Sequence, residues 1–399
     1  MKIRPSASRS CCLGMGVLLL QLSNCIKEPP ASSARGVEQS NAARPKAETE
    51  KSLAEAKVKT ETGVEEKSPA SPPVRDDGTV FADSELMGTR VSINVWLEQE
   101  NQAGQAAQAI RDAFYEIARL EEIASEWQEN SEVSQINRNS GTDQFVKVSP
   151  ELVRILEQSS QVSEATGGLF DVTFYGVGRL WKFAAGSQPP SKSEIQSKLR
   201  LVNWKDVEIA SNRQGVRLRK KGMAIGLGAI AKGFAVDAAS ELLRKRGFRH
   251  HIVEGGGDTF VSGSKGTKGW KVGIQDPGHR GILGVLPAKD RAIVTSGNYE
   301  RFFIYKGKRY THILDPSTGE PLLERSSPQS VTIVAASATQ ADAYCTGVIV
   351  MGRKKGLEFV ESRGDLEAVI VDYDGKIYVS SGLRDIFQAR VDQMPIKWP

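Results

Sequence analysis

Met223-Ala-Ile-Gly-Leu-Gly-Ala-Ile-Ala-Lys-Gly-Phe-Ala-Val-Asp237 is the stretch on which the reading of this chain turns. A short apolar run, Met223 to Ile225, meets a Gly-x-Gly turn at Gly226 and Gly228, and an amphipathic helix follows. Glycines let backbone N–H groups approach a bound anion, and a helix N-terminus favours negative charge. Lys232 sits about one turn into that helix, within reach of a phosphate. Three readings fit the stretch by itself. Gly226, Gly228 and Ala231 match a loose dinucleotide-binding fingerprint. A phosphate or nucleotide cradle of another fold would use the same residues. So would a tight strand-to-helix turn with a solvent-facing lysine.

The flanking sequence separates them. Val91, Ile93, Val95 and Leu97 alternate as a half-buried strand, and Ile110, Phe114 and Ile117 recur at helical spacing. Ser149-Pro150 opens a helix as N-cap and first-turn proline, and Gly167-Gly168 stops it. Hairpins are expected at Asn212–Gly215, Lys306-Gly307 and Asp374-Gly375. Gly247 ends the central helix, His251–Glu254 and the alternation Trp270, Val272, Ile274 add strands, and Ser337 caps a helix running to Met351. A doubly wound parallel sheet needs regular strand–helix alternation, whereas hairpins dominate here. The expectation is an α+β fold of largely antiparallel sheets with interspersed helices.

Composition narrows the function. Lysine and arginine total 53 against 48 acidic residues, a formal charge of +5. No long basic tract with interleaved aromatics occurs, so nucleic acid is not an expected partner. Of four cysteines, Cys11, Cys12 and Cys25 precede the first aromatic residue, Phe81, leaving Cys345 alone in the folded part. No disulfide or cysteine zinc site can form there. His250, His251, His279 and His312 show no zinc-hydrolase spacing.

The first eighty residues read differently. Lys2, Arg4 and Arg9 precede an apolar Cys11–Leu22 segment too short to span a bilayer, ending in Leu22-Ser-Asn-Cys25. Those four residues resemble a bacterial lipobox, with lipidation expected at Cys25. Residues 1–24 are then a signal peptide. Residues 25–78, rich in Ala, Glu, Lys, Pro and Ser, form a disordered tether, and residues 79–399 form the folded domain. The expected location is extracytoplasmic, as a membrane-anchored lipoprotein on the periplasmic side.

Two segments carry chemistry. In Ala341-Asp-Ala-Tyr-Cys-Thr346, Asp342 and Thr346 lie four apart on one helix face. A carboxylate and a hydroxyl are hard oxygen ligands of the kind magnesium accepts, and a carbonyl at a glycine-rich turn would be a natural third. The alternative is that Asp342 caps or pairs and Thr346 bonds back to its own helix. In Tyr310-Thr-His-Ile-Leu-Asp-Pro-Ser-Thr-Gly319, His312 stands at a strand end beside a loop, where catalytic groups often sit.

With Met87-Gly-Thr89, Ser125-Glu-Trp127, Ser131-Glu-Val-Ser134, Thr166-Gly-Gly-Leu-Phe-Asp171, Leu227–Gly233, Glu254-Gly-Gly-Gly-Asp258 and Thr295-Ser-Gly-Asn298 in order, the chain from Val80 onward resembles the ApbE family, the FAD:protein FMN transferases. The resemblance implies an ApbE-like (T-fold-like) domain that binds FAD and Mg2+. It would transfer the FMN half to a serine or threonine of a target protein and release AMP. It implies that Met87, Trp127, Leu169, Phe170, Asp171, Lys232 and Ile313 line the FAD site, and that the Ala229 carbonyl, Asp342 and Thr346 hold magnesium. His312 and Asp342 are the candidate proton acceptors, His312 being preferred because a metal-bound carboxylate is a poor base. A membrane or periplasmic redox protein is the expected acceptor. An FAD-binding protein without transfer, or an FAD pyrophosphatase releasing FMN and AMP, would keep most of the same residues. Two departures stand out: Gly226 where the family commonly has Asp, and Cys345 beside the metal-binding threonine, the only candidate reactive thiol.

Overall fold

The computed structural model describes residues 74–278, 281–322, 327–390 and 396–397. The expected signal peptide, lipidated Cys25 and most of the tether lie outside the described residues, as does His279.

Chain entry is a tight hairpin. Strands β1 (Thr79–Leu86) and β2 (Thr89–Trp96) pair in register up to Leu86↔Thr89, leaving Met87 and Gly88 as a two-residue loop. Both have positive φ, 53° and 69°, the twist such a loop requires. Met87 is held in this sparsely populated region by its N–H, which donates to Glu121 Oε2 at 2.8 Å. Glu121 belongs to helix α1 (Ala103–Ala124), whose alanine-rich buried stripe packs beneath the hairpin.

Further helices are α2 (Glu132–Arg138), α3 (Pro150–Ala165), α4 (Ala231–Lys245), α5 (Ala338–Met351) and α6 (Arg353–Glu361), with shorter ones at Tyr175–Gly178 and Lys192–Leu199. Ser149 and Ser337 cap α3 and α5 as the sequence predicts, accepting from the Leu152 and Gln340 N–H groups. Strands β3 (His251–Gly255), β4 (Asp258–Ser262), β5 (Arg291–Gly297), β6 (Ser330–Ala335), β7 (Glu367–Val371), β8 (Ile377–Val379) and β9 (Ile396–Lys397) join β1 and β2 in one nine-stranded sheet. Each strand pairs with the next strand of this sheet, strands of other sheets intervening in the chain, and the pairing is antiparallel throughout except for β8–β9. The fold is α+β and antiparallel, so the dinucleotide-binding alternative is excluded.

The sheet is covered on both faces. Val294, Val331, Ile333 and Ile370 face the helices in the main core. The intervening Ile293, Val334, Val369 and Val371 face a second core with Trp270, Leu283 and Leu286 from a three-stranded sheet. Among the described residues no helix is long and apolar enough to cross a membrane.

Helices α4 and α5 cross at Gly233. A Cβ there would stand 2.2 Å from the Ala338 carbonyl oxygen and 2.9 Å from Asp342 Cβ. Next to the crossing, Asp237 of α4 caps the start of α5. Its carboxylate accepts from the Ala338 N–H, the Thr339 N–H and the Thr339 hydroxyl at 2.8, 2.8 and 2.6 Å. Backbone cannot step aside as a side-chain tip can. Gly233→Ala is therefore expected to destabilise the fold by about 1–3 kcal/mol, measured as a lower urea midpoint at unchanged slope. An unchanged midpoint would mean the crossing is looser than described.

Candidate functional site

The crossing sets the site. Lys232, the second residue of α4 rather than a full turn in, extends its ammonium to Asp258 Oδ2 at 2.9 Å and to both Asp342 oxygens at 3.4 Å. The two carboxylates are almost fully enclosed, at 2% and 3% side-chain exposure, and the lysine is 28% exposed. Burial and the neighbouring Asp342 push the Asp258 carboxyl well above the usual range, with Lys232 opposing. Burial acts against the Lys232 ammonium, but the two carboxylates outweigh it and hold the lysine charged above its ordinary value. One ammonium faces two carboxyl groups in a low-dielectric recess, which disfavours ionising both at once.

The start of α4 is tied to α5. The Gly233 N–H donates to Asp342 Oδ2 at 3.2 Å. As the third residue of α4 it is one of the first-turn donors that have no partner within the helix. Among the described residues the Ala229 carbonyl accepts no hydrogen bond. Thr346, one turn beyond Asp342, makes no side-chain hydrogen bond either, so it does not bond back to its own helix. Elsewhere Ser159, Ser163 and Thr166 all do. A carbonyl, a hydroxyl and a carboxylate are oxygen ligands of the kind a hard divalent cation takes. Among the described residues no cluster of three or more His, Cys, Asp or Glu side chains is placed to hold a metal. A metal here would rest on this mixed oxygen set.

The glycine turn is built from outside. Met223–Ile225 belongs to no strand. Asn137 clamps it instead, accepting from the Ile225 N–H at 2.7 Å and donating to the Ile225 carbonyl at 2.9 Å. The Gly226 N–H donates to the Val172 carbonyl. A Cβ on Gly226 would lie 2.6 Å from Tyr175 Cγ, so the Tyr175 ring fills the room a side chain would need. Trp127 stands edge-on to that ring, 6.3 Å away at 86°, and is 78% exposed. A core tryptophan is thereby excluded. Burial raises the Glu126 carboxyl, which sits against Gly228 with the Leu227 N–H pulling the other way.

The other expected site residues fall into two groups. Met87 and Lys232 line one narrow cleft. Phe170, at 2% exposure, belongs to the main core beside Gly347, and Ile313 is buried with it. Leu169 is half-buried. Asp171 spends both oxygens on structure: Oδ1 accepts from the Thr173 N–H and hydroxyl, Oδ2 from the Trp204 N–H at 2.9 Å. His312 is half-buried, edge-on to Phe183, with Nδ1 3.2 Å from the Arg301 carbonyl. A carbonyl only accepts, so Nδ1 carries a proton and Nε2 holds the lone pair when the ring is neutral. Burial lowers its pKa below the ordinary 6.5, against the pull of that carbonyl. No hydrogen bond joins His312 to Asp342.

A profile of the ApbE family matches residues 87–370. This chain belongs to the ApbE family. The FAD:protein FMN transferase of Vibrio cholerae is 30% identical over 281 residues, covering 67% of this chain and 83% of that protein. Its counterpart in Treponema pallidum is 29% identical over 318 residues, covering 75% and 86%. The ApbE protein of Thermotoga maritima superposes with a TM-score of 0.69 at 30% identity, covering 77% of this chain and 99% of that one. The flavin transferase ApbE of Vibrio cholerae gives 0.68 at 26%, with the same coverage.

Three residues of this ApbE site went unassigned in the sequence reading: Asp258, Glu126 and Tyr175. The first two lie inside quoted motifs, and for Asp258 a carboxylate ending a glycine-rich run was the available signal. Tyr175 had none, because its role depends on what Gly226 lacks. Cys345 proves inert. It is fully buried, its thiol donates to the Val331 carbonyl at 2.9 Å, and burial pushes its pKa up to about 12. Gly226→Ala should destabilise the fold in the wild-type background and much less in Tyr175→Ala. The expected coupling is about 0.5–3 kcal/mol in a double-mutant denaturation cycle, and additive effects would dissociate the two positions.

Proposed function

We propose that this chain transfers the FMN half of FAD to a serine or threonine hydroxyl of an acceptor protein, releasing AMP. The observation that carries the proposal is the Lys232–Asp258–Asp342 cluster beside the free Ala229 carbonyl and Thr346 hydroxyl, in a chain of the ApbE family. Mg2+ would be held by the Ala229 carbonyl, Asp342 and Thr346, and when bound would neutralise charge developing on the phosphates. Lys232, charged at any physiological pH, presents its ammonium to the same phosphates. Trp127 offers a broad exposed ring for stacking on an aromatic ring of FAD, and Met87 closes the cleft beside Lys232.

The bond changes are simple. The acceptor oxygen bonds to the FMN phosphorus, the bond from that phosphorus to the bridging oxygen breaks, and AMP leaves with that oxygen. The hydroxyl proton passes to His312 Nε2, which the Arg301 carbonyl orients through Nδ1. We further propose that the chain works outside the cytoplasm, tethered through lipidated Cys25, on a membrane or periplasmic redox protein. The Leu22-Ser-Asn-Cys25 sequence and the composition of residues 26–78 support this.

Mass spectrometry of full-length protein with FAD, Mg2+ and a threonine peptide should show covalent FMN addition. A chelator should abolish it, and Asp342→Ala should lower the rate about 100-fold or more. FMN and AMP without adduct would instead establish hydrolysis. Because burial lowers the His312 pKa, the base form is present at neutral pH and is lost as pH falls. The acid limb of kcat should therefore lie below 6.5. His312→Asn should lower kcat by about 100-fold or more and flatten that limb. A limb unchanged in the variant would assign it to another group.

A further inference from the structure

Phe302–Tyr305 and Lys308–Thr311 form a two-stranded ladder that joins no other sheet among the described residues. One face is seated firmly: Phe303 stacks on Tyr310 at 5.0 Å, and both pack on Trp181. The other face shows Phe302 at 43% and Ile304 at 63% exposure. The ladder's base is closed by the His312 N–H donating to the Arg301 carbonyl. Hydrogen-bonded pairs alternate in an antiparallel ladder, so 303/310 and 305/308 are bonded, and the N–H and C=O groups of Phe302 and Ile304 point outward. Among the described residues these groups have no partner. The edge strand itself, Phe-Phe-Ile-Tyr, carries none of the proline, bulge or inward charge that usually blunts such an edge. From Arg301 to Ile313 the sequence has no acid, and Arg301, Lys306 and Lys308 are exposed.

We propose that this edge receives the acceptor protein. An extended, acidic segment of the acceptor adds to the hairpin as a third strand, and its hydroxyl residue lies where the segment passes the Arg301–His312 pair. The proposal rests on the transfer reading above. Strand addition satisfies the open N–H and C=O groups and gives affinity without strict sequence, while Phe302 and Ile304 take alternate apolar side chains and the three cations favour acids. A lipid surface would leave the backbone groups unpaired, which disfavours it as occupant. Phe302 is one residue from Arg301, so a strand held there is led to the side of His312.

The experiment uses full-length protein, FAD, Mg2+ and short synthetic peptides with one threonine. One peptide alternates valine with aspartate, one alternates valine with lysine, and one is acidic but interrupted by proline. The acidic extended peptide should be labelled with FMN at least about tenfold faster than the other two. Ile304→Pro removes an outward N–H at an edge position that tolerates proline, and should raise the peptide KM about tenfold with the FAD KM unchanged. Ile304→Thr keeps the N–H and should stay within about threefold of wild type. Equal labelling of all three peptides, or an unaltered peptide KM in Ile304→Pro, overturns the proposal and leaves transfer standing. No labelling of any peptide removes the transfer reading and this one with it. A wild-type dimer by light scattering that becomes monomeric in Ile304→Pro, with labelling unaltered, would assign the edge to a second copy of the chain and overturn the proposal.

Discussion

The site depends on one close contact, the crossing of α4 over α5 at Gly233. With no side chain at that position, the Gly233 N–H comes within 3.2 Å of Asp342, and Asp237 reaches the first turn of α5. The two hydrogen-bonding sets lock the helices in register, so Asp342 faces the start of α4. Sequences specify folds by agreement across levels and depart from it at functional sites. The buried grouping of Lys232 with Asp258 and Asp342 is such a departure at this crossing.

Electrostatics sharpen this argument. Two enclosed carboxylates that share one ammonium are a poor way to stabilise a protein, because desolvation offsets most of the attraction. Apolar residues of similar size would pack this recess at lower cost. Lys232, with 28% of its side chain exposed, is the most open member of the trio.

How much of this was legible in the sequence depended on burial. Caps and turns were readable because their signals are local: Ser149, Ser337, Gly247 and the Lys306-Gly307 loop all act where they were expected. The half-buried β2 showed its alternation. β6, Ser330–Ala335, did not, because all six residues are buried between the helices and the second sheet, and a strand enclosed on both faces loses its period of two. The α+β class could be inferred from the hairpins, but the nine-strand order could not. For the site, the sequence put Lys232, Asp342 and Thr346 on helices, where they lie, and left Asp171 open as a turn cap. It could not show that Phe170 and Ile313 are buried in the core, or that Asp258 is the nearest partner of Lys232. Those facts depend on which face of each element the fold encloses.

Gly226 shows why a single departure from a family pattern should not be read alone. Taken by itself, the missing aspartate looks like a lost cofactor contact or a loosened turn. In the folded chain the space is occupied: Tyr175 lies where any side chain on residue 226 would begin, and Trp127 leans on Tyr175. Asn137 and the Val172 carbonyl hold the backbone on either side. The turn is therefore ordered by aromatic packing and backbone clamps, without a carboxylate at position 226. A carboxylate is still supplied, since Glu126 abuts Gly228 from the neighbouring motif. Glycine at position 226 and tyrosine at 175 act as one unit: the ring needs the absent side chain, and the turn needs the ring.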